Sequence, residues 1–324
     1  MPRKIDISYK TILFITAFVL ALWIVYLIRD LLIILFFSVI FMSTLEPLVN
    51  VFSRIKIPRA LGIALTYVII IGVIAGMLAV ILPPLVEQST ILITNPPPLL
   101  EGVFTVTNID ETLFQSEFSS ISKNVFNLTL TTFDFFLTII FLLVITFYLL
   151  LEKNNLEDRI PALFLGNEER AKRLITHIQE KLGAWLRGQL LLSLIIAVVS
   201  YIGLTLLQVP YALPLSLVAG IMEVVPVIGP IISSLPAILV ALTISPILGL
   251  VVSIMYFIIQ QLENHLIVPQ VMKKAVGLNP LVVLLTIAVG SKILGFAGAL
   301  LAVPLAVVIQ ILATELIESR KVNS

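Results

Sequence analysis

At 324 residues, 59% hydrophobic and only 12% charged, the chain is far too apolar for an ordinary soluble domain. A formal net charge of +1 excludes a global basic field for nucleic acid, and the lack of Cys excludes disulfides, thiolate catalysis and most structural zinc or iron–sulfur chemistry. Segments of about 20 apolar residues, each able to cross about 30 Å of hydrocarbon, recur from end to end, so the composition predicts one integral, polytopic, all-α membrane unit in the lipid bilayer. His177 and His265 stand too far apart in sequence to suggest a metal site, and no cofactor is expected.

In chain order, the basic head MPRKIDISYK precedes TILFITAFVLALWIVYLI with no small-residue cleavage site, which predicts a retained first span at 11–28. Hydropathy places further spans at 31–49, 60–82, 133–151 and 188–207. Lys and Arg cluster at the N-terminus (Arg3, Lys4, Lys10), in SRIKIPR (Arg54, Lys56, Arg59) and between spans four and five (Lys153 to Arg187). Positive charge is retained inside, so all three clusters are expected in the cytoplasm. Residues 83–131 look opposite: Glu87, Glu101, Asp110, Glu111 and Glu117 face only Lys123, beside Pro83, Pro84 and the NPPP run at 95–98. Gly72 and Gly76 form a GxxxG that permits close helix approach.

The expected organisation is therefore spans one to three (1–82), a small extracytoplasmic segment (83–131), span four (132–152), cytoplasmic amphipathic helices (153–187) and a C-terminal transport half (188–324). In that last half, two ordinary crossings at 214–245 and 247–262 would leave Lys273 and Lys274 outside, against the charge rule. The count closes if 214–228 and 231–245 are the arms of a re-entrant hairpin bent at Gly229–Pro230, each about 22 Å long and too short to cross. A second piece, 281–293 followed by Gly295, Gly298 and an arm through Pro304 to Leu312, begins and ends on the inner side, with Arg320 and Lys321 placing the C-terminus in the cytoplasm. Opposed broken hairpins are the pattern of carriers that bind their cargo near the midplane. The alternative is that Pro226, Pro230 and Pro236 kink one long helix.

Charged residues inside apolar segments cost about 2.5–3.5 kcal/mol on insertion scales and mark function by default. Glu223 and Lys292 are the clearest, and two hairpins that meet would let them neutralise one another. In QQLENHLIVPQ, Gln260, Glu263 and Asn264 sit at i, i+3 and i+4, one helical face that lines either a polar path or an interfacial helix end. A carboxylate in a dehydrated site can exchange protons near neutral pH, which suits Glu223 or Glu263 to proton coupling. The sequence holds no phosphate-binding glycine loop, HExxH or GxSxG, so ATP drive and hydrolytic chemistry lack support and no enzymatic activity is expected.

The stretches EVVPVIGPIISSLPA from Glu223, QQLENHLIVPQVM, GLNPL at 277–281, Gly290, Gly295 and GALLAVPLA at 298–306, in this order, resemble the autoinducer-2 exporter family, also described as PerM-like permeases. The resemblance covers nearly the full chain. It implies a secondary carrier with about eight membrane segments, an inner-membrane location and a homo-oligomer, a pentamer. It also implies that the family pattern falls on Glu223, Pro226, Gly229, Pro230, Pro236, Gln260, Glu263, Asn264, Pro269, Pro280, Gly290, Gly295, Gly298 and Pro304. A departure is Ser291–Lys292 after Gly290, where the family often carries a small pair of glycines. The resulting expectation is export of a small polar, autoinducer-2-like solute driven by a proton or sodium gradient. Two others stand beside it: a Na⁺ or Li⁺/proton antiporter, and a non-transporting scaffold working through 83–131 and 154–184.

Overall fold

In the computed structural model, the described residues are 9–94, 137–153, 155–156, 158–159, 161, 168–225, 228–275 and 277–322. Most of the expected segment at 83–131, and Pro226, lie outside them. The described residues form helices joined by short turns, and none is in a strand. The chain is an all-α polytopic membrane protein: among the described residues six helices are long and apolar enough to cross a membrane, with shorter apolar helices between them.

Helices α1 (Tyr9–Leu27), α2 (Arg29–Arg54), α3 (Arg59–Thr94) and α4 (137–153) make up the first half. α1 buries none of its side chains. Gly72 and Gly76 of α3 have nothing among the described residues within contact distance of an added Cβ, so their small face meets no described helix. α2, α3 and α4 are bound by Met42, Leu45, Val49, Ile63 and Leu150, with Tyr67 and Phe147 against them. Polar ties reinforce that packing: Glu46 pairs with Lys153, Arg59 Nε donates to Leu150 O at 2.9 Å, and the Tyr67 hydroxyl donates to Leu143 O at 2.8 Å.

α5 (Glu168–Leu206) is the spine of the second half. Its 39 residues extend about 58 Å, nearly twice the hydrocarbon thickness. From Glu168 on, the amphipathic segment is continuous with span five, expected as a separate helix, and no proline interrupts 168–206. The helix stops just before Pro210, where Gln208 turns left-handed (φ 56°) and Val209 N–H closes on Leu204 O at 2.9 Å, a Schellman ending. At the other end Arg170 grips both the carboxylate and the carbonyl of Glu315.

α5 is also keyed to α2 through a defect. Pro47 lies inside α2 and cannot donate to Ser43 O four residues earlier; Arg187 Nη1 of α5 donates to that carbonyl at 2.9 Å. Arg187→Ala is expected to lower stability by about 1–3 kcal/mol. Adding Pro47→Ala restores the missing N–H and should recover most of the loss, which thermal unfolding in detergent of the single and double variants measures.

Along α5 pack α6 (Ala212–Met222), α7 (Ile228–Ile244), α8 (Pro246–Leu262), a π-helical turn (Glu263–Ile267), α9 (Val268–Ala275) and α10 (Pro280–Val322). Ser245 caps α8, accepting from Leu248 N–H at 3.1 Å ahead of Pro246. α6, α7 and α8 share one core with α5, through Ile196, Leu215, Ala219, Ala237, Val240 and Val252 among others. α10 shares another with α2 and α5, through Ile40, Trp185, Ile287, Leu301 and Val303. α10 breaks at Leu294–Gly295, where Gly295 takes φ 60° and ψ −137°, a conformation closed to other residues at low cost. Its arms fold back on each other with Gly290 against the Gly298 carbonyl. The second arm is longer than expected, since Ala297–Ile317 alone suffices to cross a membrane.

Candidate functional site

The first break surrounds Glu223. α6 ends at Met222; Glu223 N–H still reaches Ala219 O at 3.1 Å, then Val224 and Val225 tighten onto Ile221 O and Met222 O. The chain therefore departs from the helix at Glu223–Val225, earlier than the Gly229–Pro230 bend expected from sequence. Pro230 is the third residue of α7, inside the first turn, where a missing N–H costs nothing. Gly229 serves a different need: an added Cβ would overlap the Met222 carbonyl, so glycine lets α7 begin directly against the end of α6. Pro236 and Pro304 sit inside continuing helices. At the break Gln189 Nε2 of α5 donates to the Glu223 carbonyl at 2.5 Å.

Glu263 opens the π-helical turn, whose Val268 N–H bonds back to Glu263 O just before Pro269. A π turn widens the helix and shifts each following side chain around the axis; such turns cluster at functional sites. Here it leaves Glu263 2% exposed while Asn264 and His265 are exposed and Gln260 is half-buried. The single face expected for Gln260, Glu263 and Asn264 is thus split. Lys292 is exposed near the tip of α10 and forms no ion pair with Glu223, which is 1% exposed, so the neutral pair expected from sequence is not made.

What the structure does bring together is Glu223 and Glu263, close enough for their charges to repel. Neither makes an ion pair among the described residues, and both oxygens of Glu223 and Oε2 of Glu263 lack a hydrogen-bond partner there. An isolated buried carboxylate costs several kcal/mol even after relaxation.

Sequence reasoning missed the α5 side of this region. Trp185, Gln189, Ser193 and Ser200 recur at four, four and seven residues, one face of the helix. Each carries a buried polar atom without a partner among the described residues, as does Tyr256 on α8. The signal was that spacing, visible in WLRGQLLLSLIIAVVS but quiet, because serines cost little in membrane helices. No group of three or more His, Cys, Asp or Glu among the described residues forms a metal cluster. What the arrangement offers is acceptor oxygens in a buried interior, suited to holding and releasing a proton or a hydrogen-bonding cargo.

The profile of the AI-2E family transporters matches residues 12–318. YrrI of Bacillus subtilis is 28% identical over 317 residues, covering 92% of this chain and 89% of its own. YueF of the same organism is 28% identical over 290 residues, covering 82% and 78%. TqsA of Escherichia coli, named an AI-2 transport protein, is 26% identical over 279 residues, covering 82% and 80%. A match over nearly the whole length, on a helical membrane architecture, identifies this chain as a member of the AI-2E transporter family.

Proposed function

We propose that the protein is a secondary-active exporter of a small polar solute of the autoinducer-2 kind, in the bacterial inner membrane, driven by a proton or sodium gradient. The observation that carries the reading is the buried, unpaired carboxylates of Glu223 and Glu263 at a helix break and a π turn. Such groups change occupant when access alternates, and the occupant's charge links cargo movement to the gradient. The helices around them, α6, α7 and α10, are short or broken, as in carriers whose site lies between moving hairpins. Lys292 and the half of the chain bearing it belong to the moving part, and Gln260 and Asn264 to the rim of the site.

The test is expression in a bacterium that makes autoinducer-2 but has lost its own exporters. Extracellular signal should rise above the empty-vector control and fall back when a protonophore collapses the gradient, and Glu263→Gln should export no more than the empty vector. Equal signal in all strains sinks the exporter reading.

A second reading is Na⁺ or Li⁺/proton antiport. It is favoured by the predominance of acceptor atoms among the unpartnered groups: Glu223 Oε1 and Oε2, Glu263 Oε2 and Gln189 Oε1. Such a set suits a bare cation as well as a hydroxylated solute.

A further inference from the structure

Three consecutive turns of α5 meet the segment 220–225 in reverse order. An added Cβ on Gly220 would lie 2.7 Å from the Ser193 carbonyl, Gln189 Nε2 donates to the Glu223 carbonyl at 2.5 Å, and Trp185 shares one core with Val225. Trp185 is 2% exposed and Gln189 0%. The hydrogen bond fixes the Gln189 amide end for end, since its donor is committed to the Glu223 backbone. Its Oε1 and the indole Nε1 of Trp185 stay buried without a partner among the described residues. Trp185 also packs with Ile287 and Ala299, one on each arm of α10, so the indole stands where the first break meets the broken hairpin.

These two atoms differ in kind from the carboxylate oxygens beside them. An indole N–H only donates and calls for an acceptor, whereas Gln189 Oε1 calls for a donor. Buried Trp N–H groups ordinarily find a partner. A bare cation satisfies oxygens but has no lone pair to offer the indole. A neutral solute bearing hydroxyl or carbonyl oxygens supplies both an acceptor and a donor. Trp185 and Gln189 stand one turn apart, about 6 Å along α5, which is within the span of one small hydroxylated molecule.

Resting on the exporter reading above, we infer that Trp185 and Gln189 are cargo-binding residues of the site at the first break, selecting a neutral hydroxylated solute. The indole N–H donates to an oxygen of the cargo, and Gln189 Oε1 accepts from one of its hydroxyls. The carboxylates of Glu223 and Glu263 keep the separate task of coupling to the gradient. The α5 pair thus sets how tightly the cargo is held, and the carboxylates set whether it moves.

The test uses the two tryptophans of the chain. Trp23, on α1, is 58% exposed, so Trp23→Phe leaves Trp185 as the sole indole with the fold intact. In this background autoinducer-2 should change the emission of Trp185 saturably, and NaCl or LiCl should not. Adding Gln189→Leu should raise the midpoint of that titration about three- to tenfold, the loss of one hydrogen bond. Adding Glu263→Gln should leave the midpoint in place. In proteoliposomes, Trp185→Phe, which deletes the N–H but keeps an aromatic ring, should raise the half-saturating autoinducer-2 concentration by a similar factor, whereas Glu263→Gln loses the maximal rate. Transport by Trp185→Phe with the wild-type half-saturation removes the cargo role and leaves the exporter reading standing. An emission response to Na⁺ or Li⁺ in place of autoinducer-2 overturns the selection of a neutral solute. No autoinducer-2 transport and no emission change in proteins with wild-type Trp185 and Gln189 removes the exporter reading and this inference together.

Discussion

Glu223→Gln and Glu263→Gln are each expected to abolish gradient-driven transport, to the level of protein-free liposomes, while the melting temperature in detergent does not fall. The two halves of this result have separate causes. Gln has nearly the shape of Glu, so no cavity opens in the packed region around Val225 and Trp185. It also removes an ionisable group that is 1% or 2% exposed and has no ion-pair partner among the described residues, which relieves a burial penalty. Transport fails because an amide cannot take up and release a proton or balance a cation. Glu223→Ala loses transport too, but with a stability cost from lost packing. A fall in stability in the Gln variants equal to that in Glu223→Ala would mean that the carboxylates are structural.

The other large effect is expected at the crossing of the α10 arms. A Cβ on Gly298 would overlap the Gly290 carbonyl, and one on Gly290 would overlap that of Gly298, so backbone meets backbone with no flexible side chain to yield. Gly298→Val forces the arms apart, at a cost of about 1–3 kcal/mol or more. Ala299, Leu301 and Ala302, packed just beyond, lose their seats against Trp185 and Ile287. Melting temperature should drop and transport disappear together. The same change at Gly72, with open space around it, should be tolerated. Equal effects at both positions would show that the contact within α10 does not hold the hairpin.

How much of this was legible follows from what each residue costs. Glu223, Glu263 and the proline-rich stretch stood out because charge and missing donors are expensive in apolar segments, and a sequence shows expense directly. The long apolar helices of the first half followed from hydropathy for the same reason, whereas the full crossing length of Ala297–Ile317 did not. The place of the first break was less legible. Pro230 and Gly229 look like a bend, yet one is harmless in a first helical turn and the other serves close approach. The π turn was hidden as well, since ENHLI carries no local mark of it, and it decides that Glu263 faces in while Asn264 faces out. Gln189, Ser193, Ser200 and Tyr256 were silent because hydroxyls and amides cost little in membrane helices until packing buries them together. The match of Arg187 to the carbonyl freed by Pro47 requires knowing that α2 and α5 cross at Ser43.

The central claim, that the buried carboxylates link cargo to an ion gradient, is tested most directly by a pH-indicator assay in sealed proteoliposomes holding an imposed proton gradient. NaCl, LiCl or KCl is added outside, alone and with autoinducer-2, to wild type, Glu223→Gln and Glu263→Gln inserted in equal amounts. Proton movement triggered by one of these additions in wild type and absent from both variants is the predicted result. Movement of equal size in all three proteins would contradict the account and place the coupling elsewhere in the chain.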